Sequence, residues 1–261
     1  MNLTGKFAPV APLPIYEQLL EAGVLGGYHL LIATEVAKDP ETWREFWLTA
    51  SDPEPVFIIL DNGLIETGAS ADFGLIRDAC DAVEPSCVVL PDVLGNFNST
   101  LKASSQALAK FRTLDIPLMG VVQGTTVEEV AALIKFYLAA DVDFISIPRV
   151  MVEHFGTRRW LVERARWTGT PIHLLGWSEN IKDDLQCTAM EGVMGIDSAV
   201  PIWAVLPDGP PPTNADFGKR PATYWESDVD GKGLDLILTN IRWTRKWIEQ
   251  YAKDARTAEK A

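Results

Sequence analysis

The sequence predicts a single-domain α/β protein with the (β/α)8 or TIM-barrel fold. Eight short apolar runs are separated, for the most part, by stretches of helical periodicity, which indicates a parallel sheet covered on both faces. The spacing of three strand ends is even: 31 residues separate Asp61 from Asp92, and 31 separate Asp92 from Gln123. A barrel of about 250 residues has about 31 residues per unit, and this chain has 261. A doubly wound open sheet is the alternative.

The first half of the chain alternates four predicted strands with helices. The helix at residues 40–50 has Pro40 in its opening turn, and the helices that start near Ser70 and near Asn98 or Ser99 begin with residue types that cap helix N-termini. The strands are predicted at residues 7–13, 28–33, 55–61 and 87–92, and the helices at 15–22, 40–50, 70–83 and about 98–114.

The second half repeats the pattern. Strands are predicted at residues 117–123, 144–147 and 172–175, with a last one that begins at Met194 and delivers Asp197 to the rim of the sheet. Helices are predicted after a cap at Thr125 or Thr126, over residues 157–167, and from a cap at Ser178 or Asn180 to about residue 190.

After the last predicted strand the periodicity is lost. Residues 205–223 are rich in Pro and Gly, and we expect this long loop to lie over the C-terminal face of the barrel. Apolar residues between Leu234 and Tyr251 then recur at helical spacing, which predicts a closing helix at about 232–252. The barrel core is expected over about residues 7–200, within one domain that comprises residues 1–261.

Composition and charge exclude several classes of protein. A hydrophobic content of 47% is typical of a compact globular chain, and no apolar run approaches the roughly 18 residues that a membrane span needs. Residues 1–14 lack the basic and then apolar layout of a signal peptide, so the expected compartment is the cytoplasm, which for a phage-encoded protein is that of the host. The net charge of −13 argues against indiscriminate phosphate binding.

The cysteines and histidines form no recognisable metal-binding pattern. The three cysteines contain no C-x-x-C pair and have no histidine at ligand spacing, so we expect buried free thiols. The histidines are isolated, and each is predicted to be a packing or surface residue, which leaves little basis for a Ser/His/Asp or Cys/His catalytic site. These residues are Cys80, Cys87 and Cys187, and His29, His154 and His173.

Polar residues follow several predicted strands at their C-terminal ends, where barrel enzymes carry their catalytic residues. Asp61, Asp92 and Asp197 supply three acids and Gln123 an amide, with Arg149 nearby. Oxygen ligands of this kind would suit a divalent cation, as in a metal hydrolase. They would equally suit the edge of a guanine base, since an ionised Asp accepts from ring N–H and NH2 groups and a Gln amide donates to a carbonyl. Carboxylates would then act at the attached sugar carbon.

Five segments carry a resemblance to a known family. In chain order they read FIILDNG, CVVLPD, LMGVVQG, IHLLGW and GIDSA. Together they resemble the tRNA-guanine transglycosylase superfamily over roughly residues 7–200, and VVQG is the most specific of them. The resemblance implies a (β/α)8 barrel that exchanges guanine for a 7-deazaguanine base through a covalent aspartyl–sugar intermediate, without a cofactor or a metal ion in the site.

The resemblance also implies roles for individual residues. Asp197 is expected to be the nucleophile that attacks the anomeric carbon, and Asp61 the general acid and base. Asp92 is expected to read the purine N1–H and 2-amino groups, and Gln123 to face the carbonyl edge. The other expected substrate-binding residues are Asn62, Gly124, Arg149, Leu175, Gly176 and Ile65.

The chain departs from the family pattern in four respects. Val200 stands where the bacterial motif has a second aspartate, so Asp197 is aligned with the archaeal-type F-D-S-A motif. Ile147 and Pro148 replace a Gly-Gly pair, and because proline has no N–H for a purine carbonyl, base selection must differ there, with Arg149 as a candidate. The family's zinc module and its appended RNA-binding domain have no counterpart in the sequence.

The last two departures favour DNA over tRNA as the nucleic-acid partner, as in the phage-type branch that replaces guanine in DNA with a base such as preQ0. A tRNA-guanine transglycosylase and a non-catalytic partner subunit are the alternatives, and no membrane partner is expected. The sequence is compatible with a homodimer. The candidate phosphate contacts, which solvated surface charge would explain equally well, are Arg158, Arg159, Arg164 and Arg166 in the basic helix and Lys219 and Arg220 in the long loop.

Overall fold

Eight parallel strands form one sheet that curls into a nearly closed barrel, which confirms the predicted fold class. A computed structural model describes residues 5–50, 56–206, 210–213, 216–221, 223–227 and 231–258. The strands pair in the order β1-β8-β7-β6-β5-β4-β3-β2, without the reversal of a doubly wound sheet. They are β1 (Lys6–Pro9), β2 (Tyr28–Ile32), β3 (Phe57–Asp61), β4 (Cys87–Val89), β5 (Leu118–Val121), β6 (Phe144–Pro148), β7 (Ile172–Leu175) and β8 (Val193–Ser198).

Helices surround the barrel and connect its strands. The connections from β2 to β3, β3 to β4 and β6 to β7 each contain a short helix before or beside the main one. The α-helices are α1 (Leu13–Glu21), α2 (Ala33–Val36), α3 (Pro40–Ala50), α4 (Leu64–Thr67), α5 (Phe73–Val83), α6 (Phe97–Phe111), α7 (Val127–Ala139), α8 (Val152–Phe155), α9 (Arg159–Arg166), α10 (Ile181–Cys187), α11 (Val200–Trp203) and α12 (Gly231–Ala258).

The seam between β1 and β2 is bridged by a buried tyrosine. The hydroxyl of Tyr16, on α1, lies 2.6 Å from the carbonyl oxygen of Pro9 in β1 and 3.4 Å from that of Leu30 in β2. One side chain therefore contacts both strands at the point where the ladder of backbone hydrogen bonds is interrupted.

Strand alternation divides the buried apolar residues into an outer and an inner core. Residues such as Leu31, Leu60 and Ile196 pack between the barrel and its helices. Residues such as Ile59 and Met119 fill the barrel interior. Because successive side chains of a strand point to opposite faces, the two sets assign each strand residue to the inside or the outside of the barrel.

Most differences from the predicted boundaries are at the ends of elements. β1 stops at Pro9 rather than at residue 13, because Pro12 already begins the turn into α1. The N-cap of α5 is Asp72 and that of α6 is Asn96, both near the predicted start. Pro55, the predicted start of β3, lies outside the described residues. The closing helix α12 extends to residue 258 instead of about 252.

Two predicted helix caps are confirmed. Thr126 accepts from the backbone N–H of Glu129 and forms a reciprocal capping box at the start of α7. Asn180 accepts from the N–H of Asp183 and caps α10. Among the residues that the structure describes, no helix combines the length and apolarity needed to cross a bilayer.

Candidate active site at the barrel mouth

The predicted acids meet at the C-terminal end of the barrel. Asp61 is the last residue of β3, and Asp197 lies on β8 opposite Ala8 of β1. Ile196 belongs to the outer core and Ala8 to the inner one, so strand alternation directs the Asp197 side chain inward. Asp92 follows β4 within three residues.

Asp92 is held by two buried amides. Its Oδ1 accepts from Nδ2 of Asn62 at 2.9 Å, and its Oδ2 accepts from Nε2 of Gln123 at 2.7 Å. Asn62 also donates to the carbonyl of Leu90, and Oε1 of Gln123 accepts from the N–H of Gly95. Burial raises the pKa of Asp92 above its ordinary value, and the hydrogen bonds from the two amides oppose this rise. The two predicted base-reading residues are therefore direct neighbours.

One oxygen of Asp197 accepts two hydrogen bonds. Nε2 of His173 and the backbone N–H of Gly176 both lie 3.0 Å from Oδ1. No donor in the described part of the chain contacts Oδ2. The side chain of Asp197 is 10% exposed and that of His173 is fully buried. The two donors thus fix the carboxylate through Oδ1, and Oδ2 is left free to contact a ligand at the mouth of the barrel.

Asp61 is the most electrostatically perturbed of these acids. Burial raises its pKa well above the ordinary value, and the nearby charges of Glu66, Asp92 and Asp197 raise it further, against the effect of a hydrogen bond from the N–H of Gly63. Like charges that share a poorly solvated site disfavour a second negative charge. Asp61 is therefore the acid in this group that is suited to carry a proton.

Glu66, on α4, links this group to the loop after the last strand. Its Oε1 accepts from Nη2 of Arg220 at 3.0 Å, and its Oε2 is buried without a hydrogen-bond partner. Arg220 stacks over the rings of Tyr224 and Trp225, and the Tyr224 hydroxyl donates to the carbonyl of Val10 just past β1. The end of the long loop that carries Arg220 thus lies over the C-terminal face, as predicted.

The other predicted substrate-binding residues are near the mouth but differ in exposure. Arg149 is exposed, and its side chain lies close against Gly176, where an added Cβ would come within 3.2 Å of its Cδ. Leu175 is partly buried at the end of β7, and Ile65 is 56% exposed on α4. Gly124 lies two residues before Thr126, the N-cap of α7, and has a φ of 154°.

The prediction that Arg158 contacts phosphate is wrong. Its side chain is fully buried, and its guanidinium pairs with Asp184 inside the protein. Arg159 is 42% exposed but lies 3.6 Å from Asp183 and donates to Gln186. A residue with no exposed surface cannot reach a nucleic-acid backbone.

Two of the basic candidates lie in the loop. Lys219 is exposed and Arg220 is partly buried. Arg220 is engaged with Glu66, so Lys219 is the more accessible cation of the pair.

Sequence reasoning missed Tyr28, His173 and Glu66. His173 was predicted to be a packing or surface residue, but it faces the barrel interior and contacts Asp197. The signal was available: His173 stands between Ile172 and Leu174, which point outward, so alternation alone places it inside. Glu66 has no such signal, because it lies in a short helix five residues beyond the strand end.

The expectation of buried free thiols is confirmed for all three cysteines. Burial raises the pKa of the Cys80 and Cys187 thiols to about 12, so they stay protonated. Within the described ranges, no group of three or more His, Cys, Asp or Glu side chains is arranged to hold a metal ion.

Comparison with models of known protein families gave no match, and comparison with curated protein sequences gave none either. Solved structures do match. The YdjI aldolase from Escherichia coli K12 aligns with a TM-score of 0.57 and 13% identity over 97% of this chain and 91% of that chain.

Two further matches are weaker. N-succinyl Arg/Lys racemase from Bacillus cereus ATCC 14579 has a TM-score of 0.48 and 13% identity, over 88% of this chain and 62% of that chain. Thiamine phosphate pyrophosphorylase from Pyrococcus furiosus has a TM-score of 0.45 and 15% identity, over 93% of this chain and 98% of that chain. The likeness to the YdjI aldolase, at 13% identity, concerns the fold alone. None of the three is a tRNA-guanine transglycosylase, so that resemblance rests on the sequence motifs.

Proposed function

We propose that this protein is an enzyme, a pentosyltransferase that exchanges guanine in DNA for a 7-deazaguanine base. The observation that carries the proposal is the arrangement of Asp197, whose Oδ1 accepts two hydrogen bonds while its Oδ2 remains available beside Asp61 and Asp92. A nucleophile, an acid and a base-reading group would then share one mouth, in the chain order that the family resemblance requires.

The first displacement would form an ester. Oδ2 of Asp197 attacks C1′ of the deoxyribose, the bond from C1′ to N9 of guanine breaks, and its electron pair leaves with the base. Asp61 donates a proton to the departing base, a role that its raised pKa supports because burial and the neighbouring acids favour the protonated form of this carboxyl group.

The second displacement would reverse these steps with a different base. Asp61, now ionised, removes the proton from N9 of the incoming deazapurine, and N9 attacks C1′. The ester bond breaks and its electron pair returns to Asp197. Two inversions at one carbon leave the sugar configuration unchanged.

Asp92 would recognise the base. A carboxylate offers about four lone-pair positions, and the amides of Asn62 and Gln123 use one on each oxygen. The remaining positions suit the N1–H and 2-amino donors of a guanine edge. The two amides would hold the carboxylate in place while it accepts these donors, which limits the cost of ordering it on binding.

A second candidate keeps the chemistry but changes the glycosyl donor. Arg158 is fully buried, and Arg159 and Arg220 are paired with acids. The chain also has a net charge of −13. These features favour a donor with few phosphates, such as a free nucleoside or nucleotide, because a polynucleotide needs several cationic contacts.

Radiolabelled guanine provides the test, since base exchange with guanine itself does not depend on which deazapurine is preferred. The protein is incubated with the label and with duplex DNA, single-stranded DNA, tRNA or deoxyguanosine in separate reactions. Label in DNA supports the proposal, label in tRNA or in the nucleoside assigns a different donor, and no label in any of them contradicts base exchange.

Variants assign the roles. We expect Asp197→Asn to abolish both exchange and the covalent adduct seen on a denaturing gel. Asp78→Asn is the matched control, because Asp78 is 62% exposed on α5 and pairs only with its neighbour Arg77. An Asp197→Asn protein that still forms the adduct would show that another residue is the nucleophile.

A further inference from the structure

A hydrogen-bonded chain of three side chains crosses the interior of the barrel. The hydroxyl of Tyr28, on β2, lies 2.8 Å from Nδ1 of His173, on β7. Nε2 of His173 lies 3.0 Å from Oδ1 of Asp197, on β8. Tyr28 is 3% exposed and His173 is fully buried, so the first two members are shielded from water. The first hydrogen bond joins β2 and β7, which are not neighbours in the sheet, and the second joins the neighbours β7 and β8.

The direction of each hydrogen bond follows from the donors available. Burial raises the pKa of Tyr28 well above its ordinary value, so its hydroxyl keeps its proton. Nδ1 of His173 is the partner of that hydroxyl in the described structure, and a buried hydroxyl proton without an acceptor is costly. Tyr28 therefore donates to Nδ1. A neutral imidazole that accepts at Nδ1 carries its proton on Nε2, so His173 donates to Asp197.

The local sequence makes room for this arrangement. A Cβ added at Gly195 would lie 2.8 Å from Cε1 of Tyr28 and still closer to the carbonyl oxygen of Lys6 in β1, so a side chain at this position would clash with both the tyrosine ring and the neighbouring strand. Phe57 stacks on the other side, with ring centroids 5.6 Å apart and an interplanar angle of 14°. The ring of Tyr28 is thus held between β3 and β8, with its hydroxyl directed at His173.

We propose that Tyr28 and His173 are positioning residues for Asp197: Tyr28 selects the Nε2–H tautomer of His173, which donates to Oδ1 and leaves Oδ2 as the reacting oxygen. The N–H of Gly176 is a second donor to the same atom. The catalytic consequence rests on the proposed function, whereas the tautomer does not. When the ester bond to C1′ breaks, negative charge returns to the carboxylate, and two fixed donors stabilise it without reorganisation.

The tautomer is measured on the free protein by nitrogen-15 NMR of labelled histidine. Three histidines are present, and a His173→Gln sample identifies the signals that belong to His173. We expect Nε2 to be protonated and Nδ1 to be bare in the wild type, and the nitrogen-15 shift of Nδ1 to change in Tyr28→Phe, because Nδ1 then loses the hydroxyl that donates to it. A proton on Nδ1 in the wild type, or an unchanged spectrum in Tyr28→Phe, would overturn the inference.

Two amide variants separate positioning from folding. Gln at residue 173 can place an N–H near the position of Nε2, whereas Asn is one methylene shorter and cannot reach Asp197. We expect His173→Asn to lower kcat for base exchange about 100-fold with little change in KM, as for the loss of one preorganised donor, and His173→Gln to remain within about tenfold of the wild type. Equal kcat values for variants that unfold at similar temperatures would contradict the proposal.

The two readouts distinguish failure of this inference from failure of the proposed function. If no donor accepts labelled guanine but the NMR shows the Nε2–H tautomer, base exchange is wrong and the hydrogen-bonded chain stands. If exchange occurs while His173 carries its proton on Nδ1, the function stands and the role assigned to Tyr28 is wrong.

Discussion

Arg158 and Asp184 form an ion pair in which both side chains are fully buried, with 2.6 Å between Nη2 and Oδ2. Arg158 also donates from Nη1 to the carbonyl oxygens of Ile147, in β6, and Leu175, at the end of β7. Asp184 in turn accepts from the backbone and hydroxyl of Ser178. The pair therefore ties two strands to the start of α9 and to α10, directly beneath the loop that carries Gly176.

Removing Arg158 should destabilise the protein rather than weaken a nucleic-acid contact. We expect Arg158→Met to lower the free energy of unfolding by about 3–5 kcal/mol, because Asp184 is left as an unpaired buried charge. Urea denaturation measures this loss. Arg159→Met is the control: its partly exposed pair with Asp183 should contribute at most about 1 kcal/mol. An Arg158→Met protein of normal stability with reduced affinity for DNA would restore the original prediction.

The raised pKa of Asp61 predicts that Asp61→Asn stabilises the protein at neutral pH. The folded state binds a proton that the unfolded chain releases above about pH 4, so the free energy of unfolding falls as the pH rises from there to the folded pKa. Asn removes this dependence and can still accept from the N–H of Gly63. Each kcal/mol gained raises Tm by about 2–4 °C for a chain of this size.

The comparison is made by thermal unfolding at pH 4 and pH 7. The increase in Tm should be larger at pH 7. At that pH the wild-type protein loses stability, because Asp61 must either carry a buried charge or bind a proton that the unfolded chain has released. An increase that is equal at both pH values, or larger at pH 4, would show that the charge of Asp61 is not the cause.

Loss of the Tyr16 hydroxyl should weaken the seam of the barrel. Tyr16→Phe keeps the ring, which packs against Trp43, Phe46 and Trp47, and removes the donor between Pro9 and Leu30. We expect a loss of about 1–3 kcal/mol in the free energy of unfolding, measured by urea denaturation. Tyr251→Phe on α12, where the side chain is partly exposed, should change it by less. Equal effects of the two variants would exclude a special role for the seam.

The pair of Glu66 and Arg220 should hold the loop on the barrel mouth. Arg220→Met leaves the Glu66 carboxylate, whose side chain is 8% exposed, without its cation. We expect trypsin to cleave after the exposed Lys219 several-fold faster in this variant, because the loop opens more often. Adding Glu66→Gln should reverse much of this effect, since the unpaired charge is then removed. Unchanged cleavage of Arg220→Met would contradict the anchoring role.

The acidic and amide residues at the ends of the strands were predictable, because their positions depend on the pattern of apolar residues within short segments. Asp61, Asp92 and Gln123 follow apolar runs at equal spacing, and parallel strands bring their C-terminal ends to one mouth. The sequence could not show that Asn62 and Gln123 hold Asp92 between them, because hydrogen bonds between side chains from three loops depend on the curvature of the sheet.

The sequence by itself determined the class of fold, the order of the strands and the set of acids at the mouth, because apolar periodicity and the spacing of strand ends are properties of short segments. Only the tertiary structure decided that Arg158 is internal and that His173 connects Tyr28 to Asp197. Burial and the choice of a hydrogen-bond partner are set by residues far apart in the chain, and their free energies depend on how completely the closed barrel excludes water.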